Sequence, residues 1–199
     1  QGTSSKYYAK VTMKPGVEKA AYGTVTVDGD KDAVWDNAGT IPITINLGSN
    51  VSANAKLLWD KDNFYVYAEI KDPVLNNTNG DAWEQDSLEV FIDENNGKSN
   101  SYEDDDKQYR ISYVNDHSFN GKKCLEENMK SVAKITSDGY VVEASFKWTD
   151  ITPKAGDEIG LEFQINDADA SGKRIGTLSW NDETGMGWSK PEVFGTVKL

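Results

Sequence analysis

Trp83 and Trp188 each lie in a run of small, polar and charged residues: Gly-Asp-Ala-Trp-Glu-Gln-Asp and Gly-Met-Gly-Trp-Ser-Lys-Pro. Neither has the apolar neighbours that a core indole packs against. An aromatic face left open in this way stacks on flat, half-apolar ligands, and in water sugars are the common ones. A sugar ring presents axial C–H groups to the indole and hydroxyls to its edge. The attraction is a weak C–H to π contact plus burial of apolar area at roughly 25 cal/mol per Å². The same two rings have a second use, as half-buried loop anchors, since tryptophan is highly buried on average.

Three polar side chains stand out by strand phase. In Ser87-Leu-Glu-Val-Phe-Ile-Asp93, Leu88, Val90 and Ile92 share one face and Glu89 lies on the other. In Gln108-Tyr-Arg-Ile-Ser-Tyr-Val114, Arg110 lies opposite Tyr109, Ile111 and Tyr113. Gln164 lies opposite Ile159, Leu161, Phe163 and Ile165. If these strands are neighbours, a carboxylate, a guanidinium and an amide form one outward polar floor. A guanidinium fork suits vicinal hydroxyls or a carboxylate. The competing reading is a solvated cross-strand salt bridge between Glu89 and Arg110.

The elements that must carry these residues are strands. Phe64–Lys71, Ser87–Asp93, Gln108–Val114, Tyr140–Lys147 and Ile159–Asn166 alternate apolar and polar residues. Thr24–Val27, Ile41–Leu47, Ala53–Asp60, Ser131–Thr136, Arg174–Trp180 and Gly195–Leu199 are further candidates, separated by turn signals such as Asn95-Asn-Gly97 and Ser137-Asp-Gly139. No long 3.6-residue apolar pattern occurs. The reading is all-β: an antiparallel β-sandwich, jelly-roll-like, with long binding loops. Residues 1–20 read as a linker or N-terminal extension with the first strand, and residues 21–199 as a single module.

Composition narrows the partners. The 199 residues carry a formal charge of −12, which argues against nucleic acid and anionic membranes. No run approaches a transmembrane helix. Cys124 is the only cysteine and His117 the only histidine, so no internal disulfide forms and a Cys–His nucleophile is not expected.

At these residues the chain resembles the family 9 carbohydrate-binding modules, which are appended to bacterial xylanases and related wall-degrading enzymes. The resemblance runs from about Tyr22 to Leu199. It rests on ordered blocks: Val27-Asp-Gly-Asp-Lys-Asp-Ala-Val-Trp35, Leu58-Trp-Asp60, Lys71-Asp-Pro-Val-Leu-Asn76, Trp83 through Asn96, Tyr102 through Arg110, Gln164-Ile-Asn-Asp-Ala168, and Ser179-Trp-Asn-Asp182 before Trp188. It implies that Trp83 and Trp188 sandwich a terminal sugar and that Glu89, Arg110 and Gln164 contact it. It also implies binding of reducing ends of cellulose and xylan chains and of short cello- and xylo-oligosaccharides. The expected setting is a secreted bacterial hydrolase, with the module a monomer attached to a catalytic domain. One position departs: where the family can carry a sugar-contacting asparagine, this chain has Gly185.

The resemblance also implies structural Ca²⁺. Asp72, Asp86 and the run Glu103-Asp-Asp-Asp106 offer the hard oxygen ligands that suit it. Asp72 and Asp86 flank the loop of Trp83 and are the expected ligands. Asp28-Gly-Asp-Lys-Asp32 lacks the twelve-residue EF-hand pattern and reads as a turn leading into a short helical turn. Two other classes compete. A glycoside hydrolase needs two carboxyls about 5–5.5 Å apart, and Glu89 has no evident second. A haem-binding sandwich needs paired ligands, and His117, Met13, Met129 and Met186 offer no evident pair.

Overall fold

A strand buries one face and leaves the other when apolar residues recur at every second position. The computed structural model describes residues 16–199. Strands in the first half are β1 (Val17–Lys19), β2 (Ala21–Tyr22), β3 (Ile41–Ile43), β4 (Ile45–Leu47), β5 (Ser52–Trp59), β6 (Asn63–Lys71) and β7 (Ser87–Asp93). The second half adds β8 (Asp106–Ser112), β9 (His117–Asn120), β10 (Met129–Ile135), β11 (Gly139–Lys147), β12 (Glu158–Ala168), β13 (Arg174–Ser179) and β14 (Gly195–Lys198).

Two sheets pack face to face. The first runs β1-β14-β12-β7-β8-β9, with β13 also on β12 and β4 on β13. The second runs β10-β11-β6-β5-β2, with β3 also on β5. Pairing is antiparallel except for β1 with β14 and β2 with β5. This is the expected all-β sandwich. Between the sheets lie Leu88, Val90 and Ile92 of β7, Tyr109 and Ile111 of β8, and Leu161, Phe163 and Ile165 of β12. They meet Phe64, Val66, Ala68 and Ile70 of β6 and Tyr140, Val142, Ala144 and Phe146 of β11. A second cluster, Val25, Val27, Trp35, Leu58, Tyr65 and Tyr67, covers the outer face of the second sheet.

The segment Thr24–Val27 is not a strand. Its alternate valines are buried against Trp35 in that outer cluster, so apolar burial is satisfied without a ladder. Ile41–Leu47 divides at Thr44, where the chain crosses from the second sheet to the first. The N-terminal strands cross in the same way: β1 pairs in the first sheet and β2 in the second, on either side of buried Ala20. The sandwich therefore includes residues before 21. Residues 1–15, with the linker-like start and Met13, lie outside the described residues. Asp28–Asp32 leads into a short 3₁₀ turn, Ala33–Asn37, as expected. Buried Glu143 pins this segment, accepting from Trp35 Nε1 at 2.9 Å and from Gly29 N at 2.8 Å. Among the described residues no helix is long and apolar enough to cross a membrane.

Candidate binding site

The face of the first sheet that points away from the core carries the polar row. Gln164 on β12 is the direct partner of Glu89 on β7, and Glu89 is the direct partner of Arg110 on β8. Strand phase predicts this side to be open to solvent. Loops cover it instead: Glu89 and Arg110 are each 3% exposed. What remains open is a cavity of about 700 Å³. Its floor and one side are Glu89, Gln108, Gln164, Arg174 and Thr177, and its rim is Thr184, Gly185 and the two indoles, Trp83 and Trp188. The indoles are 53% and 57% exposed, so neither belongs to the interior.

Glu89 is the centre of the floor. Its Oε2 accepts from Gln108 Nε2 at 3.1 Å and from Gln164 Nε2 at 3.4 Å, and its Oε1 accepts from Asn166 Nδ2 at 3.2 Å. Burial pushes its pKa above the usual carboxylate range, against the Asn166 and Gln108 donors and the charge of Arg110, which pull it down. Arg110 stands beside Glu89 in the row but does not line the cavity. Its Nη2 donates to Gln85 Oε1 at 2.8 Å, and its Nε is buried with no partner among the described residues. Among the described residues it forms no ion pair with Glu89, so the surface salt-bridge alternative does not describe this pair.

Each indole sits on a short braced loop. A 3₁₀ turn, Ala82–Glu84, holds Trp83. Gln85 Nε2 donates to Asn79 O at 2.6 Å, and Glu84 accepts from Arg174 N at 3.0 Å, which ties the turn to β13. The Trp188 loop closes around buried Asp182. Its Oδ1 accepts from Thr184 N at 2.7 Å and Gly185 N at 3.1 Å, and its Oδ2 from Gly187 N at 2.9 Å. Tyr102 adds a hydroxyl bond to Gly187 O at 2.9 Å. A glycine suits position 185, where φ is +70°.

Four of the five expected contact residues thus line one cavity, and Arg110 lies behind them. Gln108 and Arg174 also line it and were not singled out by sequence reasoning. Gln108 shares the strand phase of Arg110, two positions away, which is the signal that marks it. Arg174 opens a short strand whose inward face is not legible from alternation. Thr177 and Thr184 carry no sequence signal of their own.

Two acidic trios lie nearby in the fold. Carboxylate oxygens of Asp72, Asp86 and Asp167 fall within 4.8 Å of one another, as do those of Asp93, Asp105 and Asp106. Asp72 Oδ2 is buried with no hydrogen-bond partner among the described residues. Burial pushes Asp72 up to about 6 and Asp86 up to about 8. The acidic run Glu103–Asp106, which leads into β8, is part buried, with Asp105 and Asp106 inside and Asp104 paired to Lys122 at the surface. Cys124 is buried, its Sγ contacts Gln108 O at 3.2 Å, and burial pushes its pKa up to about 11, which makes an inert thiol. His117 bonds instead to Ser131 Oγ at 2.8 Å.

Exposed indoles above a carboxylate–amide floor, on the loop-framed face of a β-sandwich, are the arrangement of a carbohydrate-binding module. Residues 27–199 match the family described as carbohydrate family 9 binding domain-like, and the chain belongs to that family. It is 44% identical over 187 residues to endo-1,4-beta-xylanase A of Thermotoga neapolitana; the match covers 92% of this chain and 18% of that enzyme. The chain thus spans under a fifth of the length of that curated relative. Two solved structures of a family 9 carbohydrate binding module from Caldicellulosiruptor kristjanssonii share 36% identity and cover 92% of this chain. The complex with cellotriose has a TM-score of 0.89 and 93% of its chain covered, and the complex with glucose 0.88 and 95%. The family is one of binding domains, and the module is non-catalytic.

Proposed function

We propose that this module holds the terminal sugar of cellulose or xylan chains, and short cello- and xylo-oligosaccharides, in a slot between Trp83 and Trp188. The observation that carries this reading is the shared cavity. Two half-exposed indoles border the same space whose floor is the Glu89–Gln164 pair. A ring held by both faces buries its axial C–H groups, and its edge hydroxyls meet Glu89, Gln164, Gln108 and Arg174. A slot closed at one end accepts a chain terminus and has no exit for the chain beyond it; selection of the reducing terminus then comes from a contact to the free anomeric hydroxyl. Two stacked faces and a few hydrogen bonds at roughly 1 kcal/mol each give micromolar affinity, about −8 kcal/mol. The ligands of the Caldicellulosiruptor modules support the glucan part of this reading.

The Asp72–Asp86–Asp167 trio fits a structural Ca²⁺. Three buried carboxylates repel one another, and among the described residues Asp72 Oδ2 has no hydrogen-bond partner. The ion supplies the positive charge that lets all three remain ionised. Asp86 accepts from Asn76 N at 2.6 Å and Ala168 N at 2.7 Å, so the trio ties the loop leading to Trp83 to the end of β12. In its parent, the module is a monomeric, secreted bacterial unit that keeps an attached plant-cell-wall hydrolase on its substrate.

Titration calorimetry with cellobiose, xylobiose and their reduced alditols tests the reading. Micromolar binding that is lost on reduction supports it. Equal binding of sugar and alditol removes end recognition, and no binding of any of the four removes the proposed function.

A further inference from the structure

Two hydrogen-bond relays leave opposite oxygens of Glu89 and end on the backbones of the two indoles. From Oε2 the first runs through Gln108, whose Oε1 accepts from Asn120 Nδ2 at 3.1 Å; the same Nδ2 donates to the carbonyl oxygen of Trp188 at 3.1 Å. From Oε1 the second runs through Asn166, whose Oδ1 accepts from Arg174 Nη1 at 3.1 Å; the same Nη1 donates to the carbonyl oxygen of Trp83 at 3.1 Å. The polarity of each relay is forced. A carboxylate only accepts, so it draws the amide nitrogens of Gln108 and Asn166 toward itself and turns their oxygens outward. A backbone carbonyl also only accepts, so the outer member must offer two hydrogens, one to each acceptor. Asn120 and Arg174 both do.

We propose that Asn120 is a positioning residue for Trp188: it sets the height of that indole over Glu89 and thereby the width of the slot. This rests on the two-indole reading of the cavity. Asn120 is exposed, at the end of edge strand β9, and takes no part in the core. Its bond is the one hydrogen bond to a backbone group of Trp188 among the described residues. Asp182 and Tyr102 brace the loop only as far as Gly187. Arg174 does the same for Trp83, but it also lines the cavity, so Asn120 is the cleaner test.

The test combines cellobiose calorimetry, a thermal melt and ¹⁹F NMR of chain labelled with 5-fluorotryptophan, the Trp188 resonance being assigned by Trp188→Phe. Asn120→Ala is expected to weaken binding roughly 10-fold, to leave the melting temperature within about 2 °C, and to shift or broaden the Trp188 resonance while that of Trp83 stays put. Asn120→Asp, of the same shape but with no donor for the carbonyl, is expected to do at least as much. Wild-type affinity in both variants overturns the proposal, and so does a loss of affinity with an unmoved Trp188 resonance. Failure of the wild-type chain to bind cellobiose removes the proposed function instead, and the resonance still decides the positioning role.

Discussion

Gln164 and Glu89 are direct partners across β12 and β7, and the Gln164 amide nitrogen donates both to Glu89 Oε2 at 3.4 Å and to Asn166 Oδ1 at 3.0 Å. Its carbonyl oxygen accepts no bond among the described residues. The amide is oriented by chemistry, since its neighbours on that side are acceptors. At this point the floor therefore offers acceptors, and sugar hydroxyls must donate to it.

Monodeoxy and monofluoro analogues of glucose test that polarity. At a hydroxyl that points to Glu89 or Gln164, both replacements are expected to weaken binding about 10-fold, because fluorine cannot donate. Fluorine that restores affinity at every position where deoxygenation removes it would contradict the acceptor floor.

Glu89 also predicts a pH dependence. Burial raises its pKa above the ordinary 4.5, and a bound sugar that donates to the carboxylate favours the ionised form. Affinity is therefore expected to fall as pH drops, starting above the usual carboxylate range. The sign for the free chain is opposite. Its folded form holds the Glu89 proton more tightly than the unfolded form, so this residue's contribution to stability grows as pH falls through the raised pKa and is lost as pH rises. Calorimetry in buffers of different ionisation enthalpy is expected to detect proton release on binding near that pKa, and Glu89→Gln is expected to abolish it. Proton uptake would reverse the assignment.

Gly185 is the position where the family can carry a sugar-contacting asparagine. Among the described residues a Cβ built there meets only Leu47 Cδ1, at 4.0 Å, and asparagine tolerates a φ of +70° better than most other side chains. Gly185→Asn is expected to fold normally and to bind cellobiose several-fold more tightly, as one added hydrogen bond allows. Calorimetry showing weaker binding by a folded variant would mean that the open rim serves the ligand.

Removal of calcium is expected to lower the melting temperature, and excess Ca²⁺ to restore it, with Asp86→Asn insensitive to both. Because Asp72 and Asp86 hold protons at about 6 and 8 when no ion is present, Ca²⁺ affinity is expected to weaken as pH falls through that range. A melt unchanged between EDTA and excess calcium would remove the structural ion.

Much of this was legible in sequence, for identifiable reasons. The alternation in β6, β7, β8, β11 and β12 is strict because both sheets bury a full apolar face there, and the same phase puts Glu89, Arg110 and Gln164 in one row. What alternation cannot carry is what lies above a strand. Glu89 and Arg110 read as solvent-facing and are buried, since Gln108, Gln164 and Asn166 from neighbouring strands close around the first and Gln85 around the second. The same blindness hid Arg174 and the Asn120 relay, which depend on where β9 and β13 dock. Thr24–Val27 misled because valines buried under Trp35 mimic strand periodicity without pairing. Asp167, the third member of the trio, comes beside Asp86 through the β7–β12 ladder, and Asp72 follows β6 of the other sheet.

The most direct test of the slot is a crystal structure of the module with cellobiose bound. The account predicts one pyranose with its two faces against the indoles of Trp83 and Trp188 and hydroxyls within hydrogen-bond distance of Glu89 and Gln164. Cellobiose bound elsewhere on the sandwich, or against one indole with the other turned away, would contradict it.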